Sequence, residues 1–263
     1  MNDLKILIAT HKNFNVPKNS IYIPINVGAD INNIHSDYLK DNVGENISNL
    51  NPYFSELTAL YWAWKNLNCD YLGLVHYRRY FGKKDAKYKE NISLEKLIID
   101  LSDIEPFLSR DTIIVPKYRK YYIETLYSHY SNTLDGSHLD ITRNILLEMY
   151  PDYINSYDFI MKQTKGHMFN MFISSKELSD GYCEWLFPIL FELQNRLDIS
   201  KLTSFEARLF GRVSEILFNV WLDKNKIKTV ELPLLDAFKI NWIKKGSAFL
   251  MAKFFKKKYK RSF

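Results

Sequence analysis

The sequence Asp70-Tyr-Leu-Gly-Leu-Val-His-Tyr-Arg-Arg-Tyr-Phe81 passes without a break from apolar residues into a histidine, two arginines and two tyrosines. Its apolar half predicts a buried strand over Tyr71–Tyr77, because strands covered on both faces read as continuous apolar runs. In α/β enzymes such strands commonly end where ligands bind. Two interpretations explain these residues equally well. One is a ligand site at His76, Arg78 and Arg79, and the other is a core strand followed by a basic turn.

Strand-like and helix-like patterns alternate along the rest of the chain. Further strands are predicted at Leu4–Thr10, Ile21–Val27, Thr112–Pro116, His167–Ser174 and Lys228–Leu232, and helices over 52–67, 93–108, 137–149, 176–197 and 204–224. This alternation predicts an α/β fold with a mostly parallel central sheet flanked by helices. Because no repeat or Pro/Gly-rich linker interrupts it, we expect one domain over residues 1–243 and a separate tail over 244–263.

Two of the predicted helices carry charged residues that need a partner or a cleft. In the helix over 52–67, Asn51 can act as the cap and Pro52 suits the first position. Its body is apolar nearly all round, so the charge of Glu56 is costly unless it is paired or faces a cleft.

The helix over 204–224 places Arg208, Arg212, Glu215 and Asn219 on one face, at spacings of four, seven and eleven residues from the first. A solvated face with Arg–Glu pairs and the wall of a polar pocket are both consistent with that pattern.

The positive charge of the chain is concentrated in the tail. The chain has a formal net charge of +6, and residues 244–263 carry eight lysines and arginines and no acid, so the remainder is close to neutral. Bulky apolar residues lie among these cations, which favours contact with an anionic membrane surface, although a nucleic-acid contact or a solvated tail is also consistent.

The rest of the composition places the protein in the cytoplasm. Cys69 and Cys183 have no disulfide spacing, the N-terminus lacks a signal peptide, and no apolar run is long enough for a membrane span. The expected localisation is therefore cytoplasmic and peripheral to the inner face of the membrane.

Three groups of motifs together resemble a bacterial glycosyltransferase family found in capsule and exopolysaccharide gene clusters, which long carried a domain-of-unknown-function label. They are Asp41–Ser48 with Asn51–Asn66; Tyr71–Phe81; and Gly166–Ile173 with Tyr182–Phe187 and Arg208–Glu215. The resemblance implies a GT-A-like nucleotide-diphospho-sugar transferase fold, with a nucleotide sugar, a UDP-sugar in particular, as donor. The resemblance and the residue types together suggest a set of donor-binding residues: Thr10, His11, Lys12, Asn46, Glu56 and Lys65.

The sequence departs from the common pattern of this fold because it contains no metal-binding Asp-x-Asp. We therefore expect no cofactor, while a divalent cation is left open. A departing nucleoside diphosphate needs positive charge, which an arginine can supply through bidentate bonds to phosphate. Arg78 or Arg79, helped by His76, is predicted to replace the metal, and only one arginine should face the donor because strand neighbours point to opposite faces.

The third group of motifs supplies the remaining candidates. Glu215 is predicted to act as general base if the reaction inverts configuration. The residues predicted to hold sugar hydroxyls of the donor or the acceptor are His167, Asn170, Arg208 and Arg212. A lone histidine beside a core strand is more often structural, so that alternative stands for His167.

The function that these motifs imply is transfer of a hexose, galactosyl or galactofuranosyl, from a nucleotide sugar to a lipid-linked oligosaccharide. A catalytically inactive scaffold that binds sugar nucleotides is the main alternative. A nucleic-acid-binding module is a further alternative. It is suggested by the pI of about 9.0 and by the alternation of Arg and Tyr at 76–80. The near-neutral body and the lack of a docking motif argue against a nucleic-acid partner.

Overall fold

The computed structural model describes residues 3–32, 34, 37–89 and 91–238. The tail over 244–263, with its predicted membrane contact, lies outside these residues. The strands of the described part are β1 Leu4–Thr10, β2 Tyr22–Asn26, β3 Leu39–Lys40, β4 Tyr71–His76, β5 Arg79–Phe81, β6 Thr112–Pro116, β7 Arg119–Lys120, β8 Lys165–Gly166, β9 Phe172–Ser175, β10 Lys228–Leu232 and β11 Leu234–Asp236.

Its α-helices are α1 Asn51–Phe54, α2 Leu57–Asn66, α3 Leu101–Ile104, α4 Leu126–Thr133, α5 Ser137–Met149, α6 Ile154–Met161, α7 Lys176–Asn195 and α8 Leu209–Lys224. Short 3₁₀ helices occupy Ser48–Leu50, Leu94–Lys96, Glu105–Phe107, Pro151–Tyr153, Ile199–Lys201 and Glu206–Arg208. Across the described residues, no helix combines the length and the apolar character needed to cross a bilayer.

The main sheet has the strand order β10-β6-β9-β4-β1-β2-β3. Strands β1 to β4 pair in parallel, and so do β6 and β10, whereas β9 runs antiparallel to both of its neighbours. After β4 the chain turns back as β5, which pairs antiparallel with β4 and β11. The predicted α/β fold with a mostly parallel central sheet is therefore confirmed.

Alternate residues of the central strands enter two separate apolar cores. Leu7 of β1 joins a core with helix residues such as Leu60, Leu186 and Leu217. Its neighbour Ile6 joins the other core. The central strands read as continuous apolar runs because both faces of the sheet are covered.

Three predicted elements differ from the structure at points where the backbone leaves regular geometry. The helix over 52–67 breaks at Ser55, whose φ of 53° separates α1 from α2. The strand predicted at His167–Ser174 begins only at Phe172, because Phe169 and Asn170 have φ values of 80° and 50°. The helix over 93–108 consists of short pieces, with Asp100 capping a new turn inside it.

The loop between β2 and α1 is organised around the buried carboxylate of Asp41. Asp41 accepts hydrogen bonds from the backbone N–H groups of Gly28 and Ala29 at 2.7 and 2.9 Å. It also accepts one from the Ser48 hydroxyl at 2.6 Å. The motif Asp41–Ser48 therefore closes the loop over the end of β2.

Replacing Asp41 with Ala should lower the free energy of unfolding by about 3–5 kcal/mol, because it leaves three donors without their buried charged acceptor. Asp30→Ala is the matched control, since the exposed Asp30 side chain accepts a bond from Asn42 at 2.9 Å. The control should change stability by about 0.5 kcal/mol or less. Urea unfolding measures both, and equal effects would contradict the assigned role of Asp41.

Candidate functional site

Charged side chains from distant parts of the sequence meet at one edge of the sheet. The carboxyl ends of β1, β4 and β6 lie at this edge, and the amino end of β9 joins them because β9 is antiparallel. The segments that reach this edge carry His11, His76, Arg78, Arg119 and Asn170. The starts of α2 and α8 lie against the same edge, as the contacts of Asn170 show.

Asn170 ties three elements together at the turn before β9. Its Nδ2 donates to Oε1 of Glu56 at 2.7 Å and to the Gly211 carbonyl at 2.9 Å. Its Oδ1 accepts from the Ser214 hydroxyl at 2.9 Å. Asparagine tolerates the left-handed backbone better than most residues, so the sequence suits the strained turn. The amide of Asn170, a predicted sugar ligand, is thus occupied by protein contacts.

Glu215 faces the same turn from α8. Its Oε1 accepts the Phe169 backbone N–H at 3.0 Å. Burial raises the pKa of Glu215 to about 6, with a contribution from the charge of Glu56, while Arg212 and Arg119 act in the opposite direction. A carboxylate with this pKa can gain and lose a proton near neutral pH, as a general base must.

His76 holds the turn from the opposite side. Its Nε2 lies 2.5 Å from the Phe169 carbonyl, so Nε2 carries the hydrogen and donates it. Burial lowers the pKa of His76, although the charge of Glu56 and this hydrogen bond oppose the shift. The imidazole is therefore neutral at physiological pH, and its contact is structural in the described geometry.

The two neighbouring arginines have different surroundings. Arg79 lies opposite Asp236 in the β5–β11 pair, with 3.3 Å between Nε and Oδ1, and its guanidinium covers the Phe169 ring at 4.6 Å. Arg78 lies in the turn between β4 and β5, with its guanidinium 5.3 Å from the centre of the Tyr77 ring. Among the described residues, no carboxylate pairs with Arg78.

Two more basic residues surround the ring of Tyr77. His11 packs edge-on against it at 5.4 Å, and the Lys12 ammonium lies 4.9 Å from its centre. Burial lowers the pKa of His11, and the charges of Lys12, Arg78 and Arg208 lower it further. We call His11, Lys12, Arg78 and Arg208 the basic cluster.

Thr10 and Arg208 connect the basic cluster to the fold. Thr10 is buried, and its hydroxyl donates to the Lys12 carbonyl at 2.6 Å and accepts the Lys12 N–H at 3.2 Å. Its contacts therefore shape the turn after β1. Nε of Arg208 donates to the hydroxyl of Ser55, the residue at the break before α2, at 3.3 Å.

Arg119 is a site residue that the sequence reasoning missed. Its guanidinium lies 5.9 Å from the Phe169 ring and 5.1 Å from the Tyr121 ring. Arg212 covers Phe205 at 4.8 Å, and the positive charges of Arg119 and Arg212 both oppose the rise in the pKa of Glu215. A signal for it was present, because Arg119 follows the strand at Thr112–Pro116 as Arg78 follows β4.

Two predicted donor ligands lie apart from this edge. Lys65 is at the far end of α2, about 13 Å along the helix from Glu56, where it pairs with Glu45 at 3.2 Å. Asn46 bonds within its own loop, donating to the Gly44 carbonyl at 2.8 Å and accepting the Ser48 N–H at 3.1 Å. The structure therefore does not bring these two residues to the basic cluster or to Glu215.

His167 is also turned to a different environment. Its Nδ1 lies 2.8 Å from the Pro116 carbonyl, and its ring stacks on Tyr118 at 3.9 Å. Asn219, expected to share a face with Glu215, bonds to the His167 backbone through both its Oδ1 and its Nδ2 at 2.8 Å. These contacts fit the structural alternative for His167.

This edge offers few carboxylates as ligands for a metal ion. Glu56 and Glu215 are the acidic groups beside the turn, and each accepts a hydrogen bond from it. The described ranges contain no group of three or more His, Cys, Asp or Glu side chains that could hold a metal ion. The residues present therefore do not fit a metal site supplied by the protein alone.

The fold matches the apo structure of a bifunctional glycosyltransferase, WbbM, with a TM-score of 0.83 and 28% sequence identity. The match covers 90% of this chain but 46% of that one, so this chain spans less than half of that protein's length. It supports the GT-A-like fold class.

No curated protein has a significant match to this chain. The model of one domain family matches residues 5–226, which is most of the sequence. The chain therefore belongs to the family described as "Domain of unknown function (DUF4422)".

Proposed function

We propose that this protein is a glycosyltransferase that transfers a hexose from a nucleotide-diphosphate sugar to a glycan. The observation that carries this proposal is the partly buried carboxylate of Glu215, which is held by the Phe169 N–H at the sheet edge where the basic cluster also lies and has a raised pKa despite the charges of Arg119 and Arg212. The fold match to a glycosyltransferase supports the same conclusion. A buried carboxylate suits proton abstraction, and nearby cations suit a diphosphate leaving group.

The basic cluster is the proposed site of the donor diphosphate. Arg78 is half-buried and lacks a carboxylate partner among the described residues, so its donors are available to phosphate oxygens. Arg79 is held by Asp236 and Phe169, which gives it a positioning role. The His11 ring packs against Tyr77 on one side and is open to solvent elsewhere, so it offers a stacking surface for the nucleobase, which is uracil if the donor is a UDP-sugar.

Glu215 is the proposed general base of an inverting reaction. Its Oε1 is fixed by the Phe169 N–H, which leaves Oε2 to take the proton of the acceptor hydroxyl. The acceptor oxygen then forms a bond to the anomeric carbon as the bond from that carbon to the diphosphate oxygen breaks. The nucleoside diphosphate leaves with the electron pair, and Arg78 stabilises its charge.

The acceptor and its location extend this proposal. We take the acceptor to be a lipid-linked oligosaccharide at the inner face of the membrane and the sugar to be galactosyl or galactofuranosyl. The basic tail over 244–263 would keep the enzyme near that acceptor. The charges of Arg119 and Arg212 act on Glu215, and we take these two residues to bind acceptor or donor hydroxyls.

The proposal as a whole is tested with a panel of nucleotide sugars. We expect one of them to raise the melting temperature of the protein and to be slowly hydrolysed or transferred to a lipid-linked acceptor. Stabilisation without any turnover would instead support an inactive scaffold. A protein that responds to no nucleotide sugar would refute donor binding.

Replacing Glu215 with Gln should lower kcat by about 10²–10⁴, the usual contribution of a general base. Wild-type kcat should rise with pH through about 6, because only the ionised carboxylate accepts a proton, and the residual rate of the variant should lack that dependence. Donor affinity should stay near wild type.

The melting temperature of the same variant shows whether a loss of activity comes from misfolding. The raised pKa means that ionising Glu215 destabilises the fold as the pH rises through about 6. Glu215→Gln should therefore melt at a higher temperature than wild type well above that pH. A variant that keeps wild-type kcat would rule out Glu215 as the base.

Arg78→Ala should weaken binding of a nucleoside diphosphate by about tenfold or more, as expected when a charged hydrogen-bonding group is lost. Arg79→Ala should mainly lower the melting temperature, because it leaves Asp236 and Phe169 without their partner. Calorimetric titration and thermal melts separate the two effects. The reverse pattern would assign the donor to Arg79.

Excess chelator should leave transfer activity largely unchanged if arginine supplies the charge at the diphosphate. The control is the same assay with manganese or magnesium added back. Loss of activity in chelator with recovery on adding the metal would refute the metal-independent mechanism.

A further inference from the structure

A two-stranded ribbon beside the site has an unusual arrangement of charge. Strands β7 and β8 pair antiparallel, with Arg119 opposite Gly166 and Lys120 opposite Lys165. Like charges directly opposite each other destabilise an antiparallel pair. In the described part of the chain neither lysine has a carboxylate partner, and the nearby Glu231 forms no ion pair with them. This repulsion would be relieved by an anionic partner.

The two faces of the ribbon are chemically distinct. Neighbouring residues of a strand point to opposite faces, so Tyr118 and Lys120 share the face opposite Arg119. The contact of the Lys165 ammonium with the Tyr118 ring, at 4.7 Å, places Lys165 on that face too. Arg119 points inward to Phe169 and the site. The outer face therefore presents cations beside an aromatic ring.

The end of the ribbon adds exposed apolar side chains. Tyr122 is 81% exposed and Ile123 is 61% exposed, two and three residues after Lys120 at the end of β7. Tyr122 has a φ of 57°, an uncommon conformation for a bulky residue. We call Tyr118, Lys120, Tyr122, Ile123 and Lys165 the ribbon surface.

We propose that the ribbon surface docks on an anionic membrane, with the lysines on lipid headgroups and Tyr122 and Ile123 at the boundary with the acyl chains. Exposed aromatic and aliphatic groups beside lysines suit this interface, where one end of a side chain is dry and the other wet. The inner face of the same ribbon lines the site, so docking would bring the site to the membrane surface. The residues of this surface are not those of the tail over 244–263.

The test measures binding of the full-length protein to vesicles without any sugar nucleotide. The vesicles contain phosphatidylcholine with phosphatidylglycerol, and pure phosphatidylcholine vesicles are the neutral comparison. Lys120→Gln with Lys165→Gln should weaken binding to the anionic vesicles roughly fivefold for each lysine removed. Tyr122→Ser with Ile123→Ser should weaken it about tenfold.

A control makes the same kinds of change at β3, the outermost strand at the other end of the strand order from β6 and β10. Lys40→Gln with Val43→Ser removes an exposed lysine and an exposed apolar residue at and just after β3, and it should leave binding unchanged. The tail is present in every variant, so differences report the ribbon surface alone. Melting temperatures near wild type confirm that each variant is folded.

Three outcomes would overturn this proposal. In the first, the ribbon variants bind anionic vesicles as wild type does. In the second, they lose no more binding than the control. In the third, they lose affinity for soluble dextran sulfate but not for vesicles. The last result would identify an acidic polymer as the occupant. Because the readout involves no catalysis, failed sugar transfer would leave this result standing.

Discussion

The left-handed turn at Phe169 and Asn170 is the constraint on which the site depends. Its two backbone groups face opposite ways: the Phe169 N–H bonds to Glu215 and the Phe169 carbonyl accepts from His76. The Asn170 side chain then fixes Glu56 and the start of α8. A regular strand would direct these groups into the sheet ladder. The strained backbone is therefore what converts a strand end into a binding edge.

Charge at this edge is balanced without the direct pairing that is common on surfaces. Two carboxylates and several guanidinium groups share a partly buried region, yet Arg119 and Arg212 rest on aromatic rings and not on the carboxylate of Glu215. Direct pairing would lower the pKa of Glu215, whereas burial beside Glu56 raises it. Aromatic support of the arginines thus leaves a carboxylate that can exchange a proton.

The antiparallel strand β9 explains why so many charged and polar side chains meet at this edge. In a wholly parallel sheet, only the segments after each strand reach the carboxyl edge. Since β9 is reversed, the turn that precedes it arrives at the same edge as the turns after β1, β4 and β6. The outward β7–β8 ribbon extends this edge, so the proposed membrane contact and the site belong to one continuous structure.

The sequence alone determined the class of fold and the ends of three strands. Apolar runs bounded by polar residues are local signals, and they placed β1, β6 and β10 at their observed bounds. The same runs identified His11, Arg78 and Arg79 as residues that follow strands. Glu56 was recognisable because a charge in an apolar helix requires an explanation, whereas Glu215 was singled out by the polar face of its helix and by the motif resemblance.

The tertiary structure decided which of these residues meet. Lys65 shares a helix with Glu56 but lies at its other end, and His167 turns to Tyr118, as no local pattern could show. The different surroundings of Arg78 and Arg79 depend on Asp236, more than 150 residues away in the chain. Contacts of this kind arise from how the sheet orders its strands, and strand order is a property of packing and not of any single segment.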